Sequence, residues 1–497
     1  MIVSAAAGVA EIDRSASRSG ALPRVMAGAP ESRRRAAAVR LALVLSIALF
    51  TGSTGRPSAA QVPDFVIGAD VSFLPQVEAG GGWFEDSNGR RDALAIFRDH
   101  GFNLFRLRIW HRPAGGINGL EYNLALARRI RAVGGQILLD FHYSDTWADP
   151  GQQPKPAAWA ALPFDVLADS VEAYTERVLR AFDAAGALPV AVQIGNETTS
   201  GVLWNDGRVG GSYDNDAQWQ KLRTLLSRGI TAVRRVQRAD SPIKVVLHID
   251  RGGSWSGTQW WFDRIGTTVD YDWIGLSYYP WWHGTLSAFQ YNLSQASRRY
   301  GKGILIAETA YPWSTGWFDN TNNIVGSGST LAPGYPATPT GQRDFLRFLS
   351  TILKQQANAV GWVYWAPDWT AAPRFGSAWE NVALFDHTWR WMHEATLTGV
   401  EGQGDEAPSG GDSVMEIWPV PAGDRVTVDC RATEAAGRQG PNDLRGVVVY
   451  DVLGRLVARE VVESGHAVFD TSAWVTGPYF ARCDGNAGRA RGFTIVR

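Results

Sequence analysis

From Asp64 to about Leu397 the chain repeats one rhythm: a short apolar strand, a loop holding Gly, Trp or charged residues, then an amphipathic helix. Eight stretches read as strands: Phe65–Val71, Leu104–Ile109, Gln136–His142, Ala191–Asn196, Ile243–His248, Trp273–Tyr278, Ile304–Glu308 and Ala359–Trp365. Between them, apolar residues recur at three- and four-residue spacing, which predicts helices over Tyr122–Val133, Asp165–Ala185, Asp216–Ala239, Leu286–Tyr300 and Thr340–Gln356. Strands alternating with helices in this number predict an α/β fold, a (β/α)8 TIM barrel. The competing arrangement, an open doubly wound sheet, would want a Gly-rich phosphate loop after the first strand, and there is none.

Two of the strands run into glutamate. Ala191 to Ile194 leads to Gly195-Asn196-Glu197, and Ile304-Leu305-Ile306-Ala307 leads to Glu308. A parallel barrel keeps its chemistry at the C-terminal ends of its strands, and paired carboxyls there suit glycosidic cleavage, one as acid and one as nucleophile.

The same rim receives Arg106, Arg108, Trp110 and His111 from the second strand, and Asp140, His142, Ser144, Asp145 and Trp147 from the third. The fourth adds Asn196, the fifth His248 and Asp250, and the sixth Tyr278, Tyr279, Trp281, Trp282 and His283. The eighth adds Tyr364, Trp365 and Asp368. Donors, acceptors and flat aromatic faces in this mixture suit a polyhydroxylated ring. The 22 tryptophans point the same way, since several fall just past strand ends, where an indole can stack on a sugar face. Arg106, Arg108, Asp140, His142, Trp147, Asn196, Asp250, Tyr278, Trp281 and Trp365 are the expected substrate contacts. Arg106 or Arg108 could keep a nucleophile ionised and Tyr278 could donate to it; a structural ion pair is the alternative for either arginine.

Other chemistries find less support. With 48 basic and 49 acidic residues there is no electrostatic case for nucleic acid or an anionic membrane surface. His142, His248 and His283 could ligate zinc from three strands, but no compact ligand spacing accompanies them. No Gly-x-Ser-x-Gly elbow and no strand-closing Lys appears, and the chemistry calls for no cofactor.

The N-terminus carries Arg33-Arg34-Arg35 and Arg40, an apolar run from Leu41 to Phe50, then Ser58-Ala59-Ala60 before Gln61. That order predicts a secretory signal peptide within an extension over residues 1–60, with Met26 a more ordinary start than Met1. The run is too short to span a bilayer, so the mature protein should hold no membrane span. The barrel domain is expected over 61–400. Residues 401–412 (EGQGDEAPSGGD) form a linker by composition, and 413–497 reads as short strands in a small C-terminal β-sandwich. A carbohydrate-binding module is an alternative for that tail, with Trp418 and Trp474 as platforms.

At these residues the chain resembles glycoside hydrolase family 53, the endo-β-1,4-galactanases. The resemblance spans the barrel. It rests on Phe105-Arg106-Leu107-Arg108-Ile109-Trp110, the run Asp140 to Gly151 (DFHYSDTWADPG), Gln193-Ile194-Gly195-Asn196-Glu197, Asp272 to Pro280 (DWIGLSYYP) and Ala307-Glu308-Thr309-Ala310-Tyr311-Pro312. It implies Glu197 as acid/base, Glu308 as nucleophile, retention of configuration and β-1,4-galactan as substrate. Retention by double displacement implies carboxyls about 5 to 5.5 Å apart, with Glu197 raised in pKa and Glu308 ionised. A galactan-binding barrel without catalysis, or a related barrel glycosidase acting on another β-1,4-glycan, are the alternatives. Ala366 stands where the family usually carries an acidic residue, and Arg251 where an Asn is expected after Asp250; both bear on subsites. Bacterial members can hold a calcium ion between the loops after strands seven and eight. Asp319, Thr321, Asn323, Ser377 and Glu380 keep oxygens there with fewer carboxylates, which implies a weak calcium site. The tail resembles the sorting domain of the type IX secretion system through Val447 to Arg455 (VVVYDVLGR), Gly477 to Arg482 and Gly492 to Val496. This implies a partner in the secretion machinery and a secreted or cell-surface location.

Overall fold

The computed structural model describes residues 61–393 and 397, then 416–418, 425–429, 446–451, 456–461, 466–475, 477–483 and 491–495. The expected signal peptide and linker lie outside the described residues.

Eight parallel strands close a barrel: β1 (Val66–Asp70), β2 (Leu104–Ile109), β3 (Gln136–Phe141), β4 (Ala191–Ile194), β5 (Lys244–Ile249), β6 (Trp273–Tyr278), β7 (Gly303–Thr309) and β8 (Ala359–Trp365). Each pairs with its neighbours in chain order, and β8 closes on β1. The strands are apolar over most of their length because both faces are covered. Outward residues such as Phe105, Leu107 and Ile109 join the main core under the helices. Inward residues Leu104, Leu138, Ala191, Val246, Leu305 and Val363 form a second, separate plug inside the barrel. Two positions further along their strands, the inward side chains turn polar: Arg106, Asp140, Gln193 and His248, all buried. The site is built on this change of layer.

The surrounding helices are α1 (Ala93–Asp99), α2 (Leu120–Ala132), α3 (Phe164–Ala184), α4 (Asp216–Val236), α5 (Trp255–Ile265), α6 (Leu286–Tyr300) and α7 (Pro339–Lys354). The sequence pattern does not predict α1 or α5. The first is only two turns long, and in the second the buried stripe Thr258, Trp261, Phe262 and Ile265 is obscured by Gly257 and Trp260. Their caps are nonetheless readable, since Asp92 accepts from Leu94 N at 2.8 Å and Ser254 from Gly257 N at 3.2 Å. No helix among the described residues is long and apolar enough to cross a membrane.

Two local distortions aim the glutamates. β4 stops at Ile194, short of the expected Asn196, because Gly195 takes φ 87° and a Cβ there would lie 2.5 Å from Thr198 Cγ2. Glu197 itself has φ 44° and ψ 55°, a left-handed conformation that costs a residue with a Cβ about 1–3 kcal/mol. In β7, Leu276 faces Ile306 and Ser277 faces Glu308, so the register skips Ala307. This bulge lets Ala307 join the inner plug while the next residue, Glu308, also reaches the interior.

The tail strands are β9 (Glu416–Trp418), β10 (Arg425–Asp429), β11 (Gly446–Asp451), β12 (Leu456–Val461), β13 (His466–Asp470), β14 (Gly477–Cys483) and β15 (Arg491–Ile495). They form two antiparallel sheets, ordered β9-β10-β13 and β12-β11-β14-β15. Val426, Val428, Ala467 and Phe469 from one sheet and Val447, Val449, Tyr479 and Ala481 from the other share one buried cluster.

Candidate active site

Arg106 is the hub. Its Nη1 donates to Asp70 Oδ2 at 2.7 Å, and its Nη2 lies 2.8 Å from Asp140 Oδ2, 2.9 Å from Asn196 Oδ1 and 2.9 Å from Glu308 Oε1. Burial works against the guanidinium charge, but Asp140, Glu308 and Asp70 outweigh it and hold Arg106 protonated. On its other oxygen Glu308 accepts from Tyr279 Oη at 3.0 Å. Burial lifts Glu308 to about 7; Arg106 and Tyr279 pull it down, while Asp70 and Asp140 push it up. The nucleophile is thus less readily ionised than the sequence implies, chiefly because it is buried and secondarily because Asp70 and Asp140 stand around the same cation.

Glu197 is placed differently. Its Oε1 accepts from Ser277 Oγ at 2.6 Å, and the acids Glu308, Asp250 and Asp149 surround it. Burial, then repulsion by Glu308 and Asp250, drive its pKa well above the carboxylate range, against the pull of Ser277.

The other expected contacts divide. Arg108 does not reach Glu308. Its guanidinium lies 4.0 Å from the Phe73 ring centre and 4.3 Å from that of Trp147, with its nitrogens buried and unpaired. Only Arg106 supplies the positive field. Tyr278 does not donate to Glu308 either, because its hydroxyl turns outward to Gly284 O at 3.0 Å and its ring stacks on Phe289; its neighbour Tyr279 takes that place. Asp140 is wholly buried beneath the mouth, so it supports Arg106 rather than touching a sugar. His142 accepts from Ala148 N on Nδ1 at 3.1 Å and faces Asp140 with Nε2 at 3.1 Å, which makes it a brace for Asp140. Asn196 spans Arg106 and Ala148 O. Asp250 accepts from Thr199 and from Arg251.

Trp147 and Trp281 stay partly exposed, and Trp365 packs edge-on against Trp379 at 4.8 Å. Trp281 Nε1 is a donor without a partner. Both ring nitrogens of His142 and of His248 have partners within the protein, His283 Nδ1 accepts from Tyr279 N at 3.0 Å, and no group of three or more His, Cys, Asp or Glu suited to a metal occurs among the described residues.

At the calcium positions, Asp319 accepts from Thr321 N and Ser377 N, and Glu380 Oε1 accepts from Phe318 N at 2.6 Å. Glu380 Oε2 and Asn323 Oδ1 are buried without partners, on side chains that meet where Asn323 Nδ2 donates to Glu380 Oε1 at 3.3 Å, and such hard oxygens fit a cation. The Ser377 hydroxyl does not fit, being committed to Trp369 O at 2.6 Å and Trp379 N at 3.0 Å.

Asp70, Gln193 and Ser277 escape a reading of the sequence, which places Tyr279 on the rim without a role. Counting by twos from the inward residues Gly68, Ala191 and Gly275 finds the first three.

Glycosyl hydrolase family 53 matches residues 66–396, and a secretion system C-terminal sorting domain matches residues 416–496. The chain is 34% identical over 357 residues to an arabinogalactan endo-beta-1,4-galactanase of Cellvibrio japonicus, covering 70% of this chain and 93% of that protein. It is 36% identical over 329 residues to a probable arabinogalactan endo-beta-1,4-galactanase A of Aspergillus terreus, covering 64% and 90%. Among solved structures, the family 53 catalytic domain of Ignisphaera aggregans superposes with a TM-score of 0.61 at 36% identity, covering 67% of this chain and 96% of that one. A fungal beta-1,4-galactanase gives 0.56 at 30% identity, covering 65% and 96%.

Proposed function

The chain belongs to glycosyl hydrolase family 53 and is a glycosidase, and on that premise we propose that it cleaves β-1,4-galactan internally by double displacement, with Glu308 as nucleophile and Glu197 as acid/base. The observation that carries this reading is the contrast between the two carboxyls: one is held by a cation and a phenol, the other by a hydroxyl among acids. Ionised Glu308 attacks the anomeric carbon while Glu197 gives its proton to the departing oxygen. Glu197, now ionised, then takes a proton from the water that releases the sugar. Arg106 stays bonded throughout and moves no proton. Trp147, Trp281 and Trp365 offer aromatic faces for the flanking rings.

The test is turnover of linear galactan against cellulose, mannan and xylan; a clear preference for any of the last three would overturn the substrate assignment.

The protein carries a secretion sorting domain and is secreted or placed at the cell surface. We infer a type IX route after removal of a signal peptide within residues 1–60, and domains at 61–400 and 413–497, the latter a sandwich of the two tail sheets. A calcium ion held by Asp319, Asn323 and Glu380, near Thr321, would brace the loops after β7 and β8 without entering the chemistry.

A further inference from the structure

A line of hydrogen bonds joins the two carboxyls behind the reaction centre, and its direction can be worked out donor by donor. Arg106 Nε can only donate, so the group 3.3 Å away on Gln193 is the amide oxygen. That fixes the Gln193 amide, whose Nε2 then donates to His248 Nδ1 at 2.8 Å. Glu197 N also points at His248 Nδ1, at 3.3 Å. Facing two donors, Nδ1 carries no proton, and the third neighbour, Asn196 Oδ1 at 3.1 Å, already accepts from Arg106 Nη2 at 2.9 Å and from Gln193 Nε2 at 3.2 Å. His248 therefore bears its hydrogen on Nε2 and donates to Ser277 Oγ at 2.8 Å. With its oxygen accepting from His248, Ser277 has its own hydrogen left for Glu197 Oε1 at 2.6 Å.

We propose that Gln193, His248 and Ser277 are positioning residues, forming a one-way chain from Arg106 that keeps a donor on Glu197 Oε1 and confines the acid's exchangeable proton to Oε2. Oε2 has no hydrogen-bond partner among the described residues and is the oxygen left for the glycosidic bond. The inference rests on the assignment of Glu197 as acid/base. Its consequence is twofold: protonated Glu197 presents its hydrogen in one place, and the ionised form left after the first step meets a donor already in position. Burial holds His248 far below the ordinary imidazole range, so the ring stays neutral and the direction of the chain does not reverse. The charged and titratable groups facing this chain are Arg106, Asp140, His142 and His283 around His248, and Glu308, Asp250, Asp149 and Tyr279 around Glu197. None of them offers Oε1 a second donor.

The test is the pH profile of kcat/KM on linear galactan. Because Ser277 stabilises the ionised form, Ser277→Ala should raise the Glu197 pKa and carry the alkaline limb upward by about one pH unit, leaving the acid limb in place. Ser277→Thr, which keeps the hydroxyl, should restore the limb. His248→Gln, which can keep a donor near Nε2, should stay close to the parent, whereas His248→Asn, too short to reach, should shift the same way. If Ser277→Ala does not fold, Ser277→Cys reads the same limb with a weaker donor. A uniform loss of activity with the alkaline limb unmoved would overturn the chain. Failure of the underlying assignment looks different: Glu197→Ala would then keep the alkaline limb on an activated aryl galactoside.

Discussion

The ends of β4 and β7 deliver the same residue type into the same buried layer, yet the two sites treat it oppositely. At β7 a bulge turns Glu308 onto Arg106 and Tyr279, so its charge is shared with a cation and a phenol. At β4 a left-handed backbone turns Glu197 onto Ser277, where it meets one hydroxyl and three acids. Burial lifts both carboxyls, and the difference in partners sets their order. Position in the barrel supplies the reach, and the neighbours assign the role.

Glu308→Gln should have the largest effect, because it removes the charge without changing the shape. Turnover should fall by about 10⁵-fold, measured on linear galactan, because nothing else in the site can attack the anomeric carbon. Glu197→Ala should cost about 10²–10⁴-fold on the polysaccharide but far less on an aryl galactoside whose leaving group needs no acid. Azide should rescue that variant and give the β-galactosyl azide, detectable by NMR.

Tyr279→Phe separates the two carboxyls, since it takes one partner from Glu308 and none from Glu197. The parent's kcat/KM should fall on the acid side as Glu308 gains its proton near pH 7, and on the alkaline side as Glu197 loses its own. Tyr279 lowers the Glu308 pKa, so its loss should carry the acid limb upward, with a fall of about tenfold below neutrality. The smallest effect belongs to calcium. Chelator should lower the thermal midpoint by a few degrees, with kcat unchanged at assay temperature, and added calcium should restore it.

Much of the barrel is legible in the amino-acid sequence. All eight strands follow from apolar runs bounded by polar strand ends, and the two glutamates stand out because each closes such a run. The assignment of partners is less legible. Arg106 and Arg108 share a strand and a face, and only the third dimension shows one among carboxylates and the other between Phe73 and Trp147. Tyr278 and Tyr279 are adjacent, and the turn into Pro280 decides which hydroxyl meets Glu308. Ser277 and Gln193 look like ordinary small and polar strand residues until the inward layer is counted across strands. Such facts depend on register and bulges, which no single stretch encodes.

The division of labour between the two glutamates is tested most directly by trapping the glycosyl-enzyme. An activated 2-deoxy-2-fluoro-β-galactoside of suitable length should inactivate the enzyme, and digestion followed by mass spectrometry should locate the sugar. A single modified peptide should carry the ester on Glu308; an ester on Glu197, or turnover through an α-configured first product with no ester at all, would overturn that division.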